Sequence, residues 1–159
     1  MTYEEFVKQK RTSRRNRHLE DALQIDCVRW FRDSFPELAA LLFHPNNEAF
    51  FGGSGRTPSQ QSRAGQRAKD MGVVPGVADL ILLYPSRGKA GLCIEMKSKT
   101  GTQRDTQKDW QKAVEGVGYE YQICKTRVDF RKIIVEYTGK MPLDPDEVAM
   151  RKLGIRIKK

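Results

Sequence analysis

Two short apolar segments decide the fold of this chain: Ala78-Asp-Leu-Ile-Leu-Leu-Tyr84 and Gly91-Leu-Cys-Ile-Glu-Met-Lys97. Each run is typical of a β-strand, and the short polar loop between them predicts a β-hairpin. Because side chains alternate across a strand, Glu95 and Lys97 are expected on one face. If Asp79 faces the same way, the hairpin brings two carboxylates and an ammonium group together.

This combination is the minimum set for a metal-dependent nuclease. Carboxylate oxygens are hard ligands that suit Mg²⁺ or Mn²⁺, and Lys97 could hold or activate a water for attack on a phosphodiester. An acid-x-lysine triplet also arises by chance in a chain with 20 acidic residues, and Glu95 and Lys97 could form an ordinary ion pair where a strand reaches solvent. The triplet gains weight from ending an apolar strand, where a charge is costly to bury without a partner.

The charge of the chain points to a polyanionic partner. Its 159 residues carry a net charge of +9 with an isoelectric point near 9.6, which makes nucleic acid the default partner. No apolar run approaches the roughly 20 residues that span a bilayer, and the N-terminus lacks a signal architecture. We therefore expect a cytoplasmic protein without a membrane partner, with its three cysteines buried and reduced.

The pattern along the chain predicts one domain with basic ends. Residues 1–17 form a basic N-terminal segment, in which residues 12–17 are expected to be a mobile connector between two helices. Residues 18–140 form the domain, and residues 141–159 a basic tail. Within the domain we predict the order helix, strand, basic helix, strand, strand, helix, strand, helix, which is an α/β fold with a mixed sheet whose central strands carry the acids.

Two basic clusters are candidate phosphate contacts. They comprise Arg11, Arg14, Arg15 and Arg17 in the first segment, and Arg63, Arg67 and Lys69 in the basic helix. In the first segment, the lack of interleaved aromatic residues favours contact with the DNA backbone over base readout. An alternative for the first segment is that Tyr3, Phe6 and Val7 dock it on a partner subunit.

Five ordered motifs resemble the VRR-NUC branch of the PD-(D/E)XK nuclease superfamily, in its stand-alone phage or bacterial type. They are Glu20 with Gln24, His44-Pro45-Asn46, Gly72-x-x-Pro75-Gly76-Val77-Ala78-Asp79-Leu80, Glu95-Met96-Lys97, and Gln107 with Gly118. One position departs from the family pattern, because Ala78 stands where proline is usual before the aspartate. Proline there shapes the backbone and carries no chemistry.

The resemblance implies a restriction-endonuclease-like mixed β-sheet flanked by helices, and a role for each motif. Asp79 and Glu95 would ligate Mg²⁺ or Mn²⁺ with the main-chain carbonyl of Met96, and Lys97 would orient or deprotonate the attacking water. Glu20 would reach the metal directly or through water, or else be a helix-surface acid. Gln107 would bond near the lysine or the phosphate, or else solvate a helix N-terminus.

The resemblance extends to the substrate. Asn46 would contact DNA, whereas His44 is open between a structural and a functional role. The implied activity is that of a metal-dependent endonuclease on branched DNA, a Holliday junction or a flap, acting as a homodimer in a bacterial or phage setting. The alternatives are a basic nucleic-acid-binding protein without catalysis and, more weakly, a nuclease acting on RNA.

Overall fold

The computed structural model describes residues 2–45 and 57–154, with the side chains of residues 3, 4, 6, 7, 10, 11, 13, 14, 58 and 61 left out. Asn46 and residues 47–56 therefore lie outside the described residues. The helices are α1 (Tyr3–Ser34), α2 (Pro58–Asp70), α3 (Asp105–Gly116), α4 (Arg127–Thr138) and α5 (Pro145–Lys152), with a 3₁₀ turn at Pro36–Leu38. The strands are β1 (Leu42–Phe43), β2 (Leu80–Leu82), β3 (Leu92–Met96) and β4 (Glu120–Cys124).

The four strands form one mixed sheet in the order β1-β2-β3-β4. β1 pairs antiparallel with β2, β2 pairs antiparallel with β3, and β3 runs parallel to β4. The predicted α/β fold with a mixed sheet is confirmed, and the two strands associated with the acids are the central ones. The strands are shorter than predicted, so that Asp79 lies directly before β2 and Lys97 directly after β3.

The alternation of side chains gives the sheet two different faces. One face, which includes Leu80, Leu92 and Ile94, packs in the main core with residues of α1 and α4. The other face carries Cys93 and Tyr121, against which Trp110 and other residues of α3 and its surroundings pack. Glu95 lies on this second face, two residues after Cys93, and the site is therefore built between the sheet and α3.

The N-terminal helix corrects one prediction. Residues 12–17 are not a connector, because α1 runs without interruption from Tyr3 to Ser34 and begins with a capping box between Thr2 and Glu5. The segment Thr-Ser-Arg-Arg-Asn-Arg contains no glycine or proline, and arginine is a good helix former. The polarity of this segment is therefore that of a solvent-exposed part of a helix and does not indicate a break in the helix.

The tail also contains a helix that was not predicted. Asp144 caps α5 by accepting a hydrogen bond from the Asp146 N–H at 2.8 Å, and Pro145 occupies the first turn, a favourable place for proline. Lys152 bonds Asp33 of α1 at 2.6 Å and ties this helix to the domain. None of the helices in the described part of the chain is long and apolar enough to cross a membrane.

Candidate active site

The sheet register brings the two acids together. Leu80 pairs with Ile94 in the antiparallel β2–β3 ladder, so Asp79 lies beside Glu95 one step further along. The main chain fixes this position, because the Met96 N–H donates to Asp79 Oδ2 at 2.7 Å. On the other side, His44 Nδ1–H donates to the main-chain carbonyl of Asp79 at 2.6 Å, which gives the histidine a structural contact at the site.

Glu95 is fully buried and held by three donors. Lys97 Nζ donates to its Oε1 at 2.5 Å, Gln107 Nε2 donates to the same oxygen, and the Tyr121 hydroxyl donates to Oε2 at 3.2 Å. Lys97 itself is only 8% exposed. A buried carboxylate without such partners would cost several kcal/mol, so these three side chains stabilise the charge inside the domain and fix the direction of its oxygens.

The protonation behaviour of both acids reflects this crowding. Burial raises the pKa of Asp79, with a further increase from the charge of Glu20 opposed by the Met96 N–H and Lys97. Burial and then the charge of Asp79 raise the pKa of Glu95 to about 7. A buried carboxylate whose ionisation is further disfavoured by a neighbouring carboxylate, as that of Glu95 is by Asp79, marks a place where a cation would be stabilised.

Glu20 approaches the site from α1. Its Oε1 accepts a hydrogen bond from the Ser98 N–H at 2.7 Å, directly after Lys97 in the chain. Gly101 leaves room for this contact, since a Cβ there would lie 2.9 Å from Ser98 Oγ and 3.2 Å from Glu20 Oε1. The buried Ser98 hydroxyl has no hydrogen-bond partner among the described residues.

A second glycine sets α3 against the turn that carries Asp79. Gly76 has φ +84°, and a Cβ at this position would lie 2.2 Å from the carbonyl oxygen of Thr106, which forbids a larger residue. The close approach places Gln107 in the first turn of α3, where its Oε1 accepts from the Arg104 N–H at 2.8 Å while its Nε2 donates to Glu95. The amide therefore joins the helix N-terminus to the buried acid.

The donor set fits a divalent cation of the magnesium type. Among the described residues, no group of three or more His, Cys, Asp or Glu side chains could hold a metal ion. Mg²⁺ is usually bound through one or two carboxylates, with water and substrate oxygens completing the shell. Asp79, Glu95 and the Met96 carbonyl match that pattern.

The five predicted catalytic side chains line a single groove of about 670 Å³. The strand ends contribute Asp79, Glu95 and Lys97, the first turn of α3 contributes Gln107, and α1 contributes Glu20. One face of α1, here called the α1 wall, lines the groove from Glu5 to Gln24. Its members are Glu5, Lys8, Gln9, Thr12, Asn16, Arg17, Glu20, Asp21 and Gln24, which recur at the three- and four-residue spacing of a single helix face.

The predicted nucleic-acid contacts fall into three groups. Arg17 is exposed and lines the groove, whereas Arg15 is exposed without lining it. Arg63, Arg67 and Lys69 are exposed on α2 and form no ion pair with another described residue. The side chains of Arg11 and Arg14, and all of Asn46, lie outside what the structure describes.

Three features of the site were not predicted from the sequence: the roles of Tyr121 and Ser98, and the contact made by His44. Tyr121 pairs with Cys93 in the β3–β4 ladder, and the alternation of β4 would have placed it on the Glu95 face if the parallel pairing had been known. Ser98 contributes its main-chain N–H to Glu20 across 78 residues. No local pattern reports such a contact.

Comparison with known proteins finds a similarity to one domain family over part of the chain. Residues 53–128 match the family model of the VRR-NUC domain, a range that includes Asp79, Glu95, Lys97 and Gln107 but not Glu20. A solved structure described as a VRR_NUC domain protein matches with a TM-score of 0.60 and 22% identity, over 79% of this chain and 92% of that chain. This likeness is one of fold. No curated protein matches the chain.

Proposed function

We propose, from the premise that this chain carries a VRR-NUC nuclease domain, that it is a metal-dependent DNA endonuclease. The observation that supports this most directly is the cluster at the end of the central strands, where Asp79 and the buried Glu95 meet Lys97 at the floor of an open groove. An ordinary surface ion pair would not need a buried glutamate with three donors. The cluster is built at the cost of burying charge, as functional sites often are.

The cation in this proposal is Mg²⁺ or Mn²⁺, held by Asp79, Glu95 and the Met96 carbonyl. When bound, it would stabilise negative charge on the phosphodiester and make an attacking water more acidic. The chain's own part begins with Lys97, whose ammonium group is fixed by Glu95 at 2.5 Å. In that position it would orient the attacking water and stabilise the charge that develops on the phosphorus oxygens.

Gln107 and Glu20 would complete the arrangement as positioning residues. Gln107 is bound at both ends, to the Arg104 N–H and to Glu95, so it would hold the carboxylate in one orientation. Glu20 fixes the main chain immediately after Lys97 through Ser98 and would reach the cation through water. Both would act by limiting movement, which is how a preorganised site lowers a barrier.

The finer parts of the proposal concern substrate and assembly. We propose branched DNA, a Holliday junction or a flap, as the substrate, and a homodimer as the acting form in the bacterial or phage-infected cytoplasm. A symmetric dimer would present two active sites to opposite strands of a junction. These statements rest on the family resemblance, and sedimentation with and without junction DNA would test the dimer.

Cleavage assays test the activity directly. Purified protein is incubated with junction, flap, duplex and single-stranded DNA in Mg²⁺, Mn²⁺ or EDTA, and the products are resolved by strand. We expect cleavage in either metal, none in EDTA, and a preference for branched substrates. Salt-sensitive binding without cleavage in any metal would instead support the alternative of a basic nucleic-acid-binding protein. Parallel RNA substrates test the third interpretation.

A further inference from the structure

The α1 wall contains polar groups that the active-site cluster does not use. Gln9, Asn16 and Gln24 line the groove, and the side-chain amide of none of the three forms a hydrogen bond to another described residue. Each amide offers two donors and an acceptor. From Gln9 to Gln24 they follow the helix axis for about 22 Å, at the rise of an α-helix, and Gln24 is the one nearest Asp79, with which it also lines a smaller neighbouring cavity.

The charge of the α1 wall distinguishes it from α2. Lys8 and Arg17 share the wall with Glu5, Asp21 and Glu20, so its charges are mixed. On α2, by contrast, Arg63, Arg67 and Lys69 are exposed, and the single acidic residue, Asp70, accepts a hydrogen bond from Gln66.

The two surfaces therefore suit different parts of a nucleic acid. A duplex presents a continuous row of phosphates, which a uniformly cationic surface binds and an acidic side chain repels. Base edges carry donors and acceptors and match amides. The Watson–Crick edges of the bases are accessible to a protein groove only where the strand is unpaired.

We propose that the α1 wall binds an unpaired DNA strand and leads it past Asp79 and Glu95. Gln9 and Asn16 hydrogen-bond its bases or sugars, while the cations of α2 hold the phosphates of adjoining duplex. This inference deepens the proposed function by naming the unpaired part of the substrate as the part that enters the groove. It rests on that function for the identity of the ligand as DNA. α1 lies wholly outside the range matched by the family model.

Binding measured in EDTA tests the inference apart from cleavage. Fluorescence anisotropy follows labelled single-stranded, flap and blunt duplex DNA of one sequence on wild-type protein and on the double variant Gln9→Ala/Asn16→Ala. Alanine favours helix, so α1 is retained, and circular dichroism verifies it. Each lost hydrogen bond should weaken single-strand and flap binding by about threefold to tenfold, with duplex binding unchanged.

Arg29→Ala is the matched control, because Arg29 is exposed on α1 without lining the groove. It should leave the binding of all three substrates unchanged. The single variant Asn16→Asp should lose single-strand binding selectively, since it keeps the shape of the side chain and adds a negative charge.

The inference is overturned if wild-type protein does not bind single strands, if the double variant loses duplex binding to the same extent, or if it binds single strands like wild type. If the double variant selectively loses single-strand binding but the wild-type protein cleaves no substrate in any metal, the proposed function is rejected. The inference that the α1 wall binds an unpaired strand is then still supported.

Discussion

The end of the central strands and the faces of α1 and α2 differ in how their side chains are held. At the strand ends, Glu95 is buried and bonded to three neighbours, and Asp79 is fixed by the main chain of Met96. On the helices, Arg17, Arg63 and Arg67 are exposed and form no ion pair with another described residue. The difference implies that changes at the strand ends act together and affect rate, whereas changes on the helices act independently and affect binding.

Removing either carboxylate should have the largest effect. Asp79→Ala and Glu95→Ala should each reduce cleavage to background in Mg²⁺, because each deletes a proposed ligand, while DNA binding stays near wild type or tightens as negative charge is lost. Single-turnover cleavage and anisotropy measure the two quantities. Asp109→Asn, an exposed acid on α3, is the control and should behave like wild type. Wild-type turnover in either alanine variant would remove these residues from the site.

Lys97 should have the next largest effect. Lys97→Ala should lower the single-turnover rate by ~10²–10³, the typical value of one preorganised charge-stabilising group, and should leave binding of DNA intact. Lys97→Arg should restore little of the single-turnover rate, because the guanidinium group has a different shape and does not give up a proton. Lys99→Ala removes an exposed lysine two residues away and serves as the comparison. If both alanine variants retain full rate, Lys97 is only an ion-pair partner of Glu95.

The bonds around Glu95 should also contribute to stability. Tyr121→Phe deletes the hydroxyl that donates to Glu95 at 3.2 Å, and leaving the buried carboxylate with one donor fewer should lower the free energy of unfolding by about 1–2 kcal/mol. Urea denaturation measures it. Tyr119→Phe is the matched change, since the Tyr119 hydroxyl has no hydrogen bond among the described residues. Equal stability of the two variants would mean that the Tyr121 bond contributes nothing.

The smallest effects are expected on α2. Arg63→Ala and Arg67→Ala should each reduce the slope of log K against log salt by about 0.9 on duplex DNA, the value for one lost phosphate contact. The double variant should show the sum, because the two side chains act separately. Arg151→Ala on α5 should leave the slope unchanged. A slope that stays at the wild-type value in the double variant would exclude α2 from the duplex-binding surface.

Features that depend on neighbouring residues in the chain were predictable from the sequence, whereas contacts between distant residues were not. The strands next to Asp79 and Lys97 were predictable because short apolar runs are typical of strands, along which side chains alternate between the two faces. The hairpin then determines which residues lie opposite each other. The continuity of α1 was not predictable in the same way, since a basic polar run resembles a loop even when it contains no helix-breaking residue. The contacts of Tyr121, Ser98 and His44 depend on neighbours 26, 78 and 35 residues away in the chain, and only the folded sheet brings these together.

In the proposed function, Asp79 and Glu95 together bind the cation on which cleavage depends. Isothermal titration of Mn²⁺ into wild-type protein and into Glu95→Gln, followed by cleavage assays on the same samples, tests it most directly. We predict saturable Mn²⁺ binding by the wild-type protein, loss of this binding in Glu95→Gln, and loss of cleavage in parallel. Wild-type Mn²⁺ affinity in Glu95→Gln, or cleavage by the wild-type protein in EDTA, would contradict it.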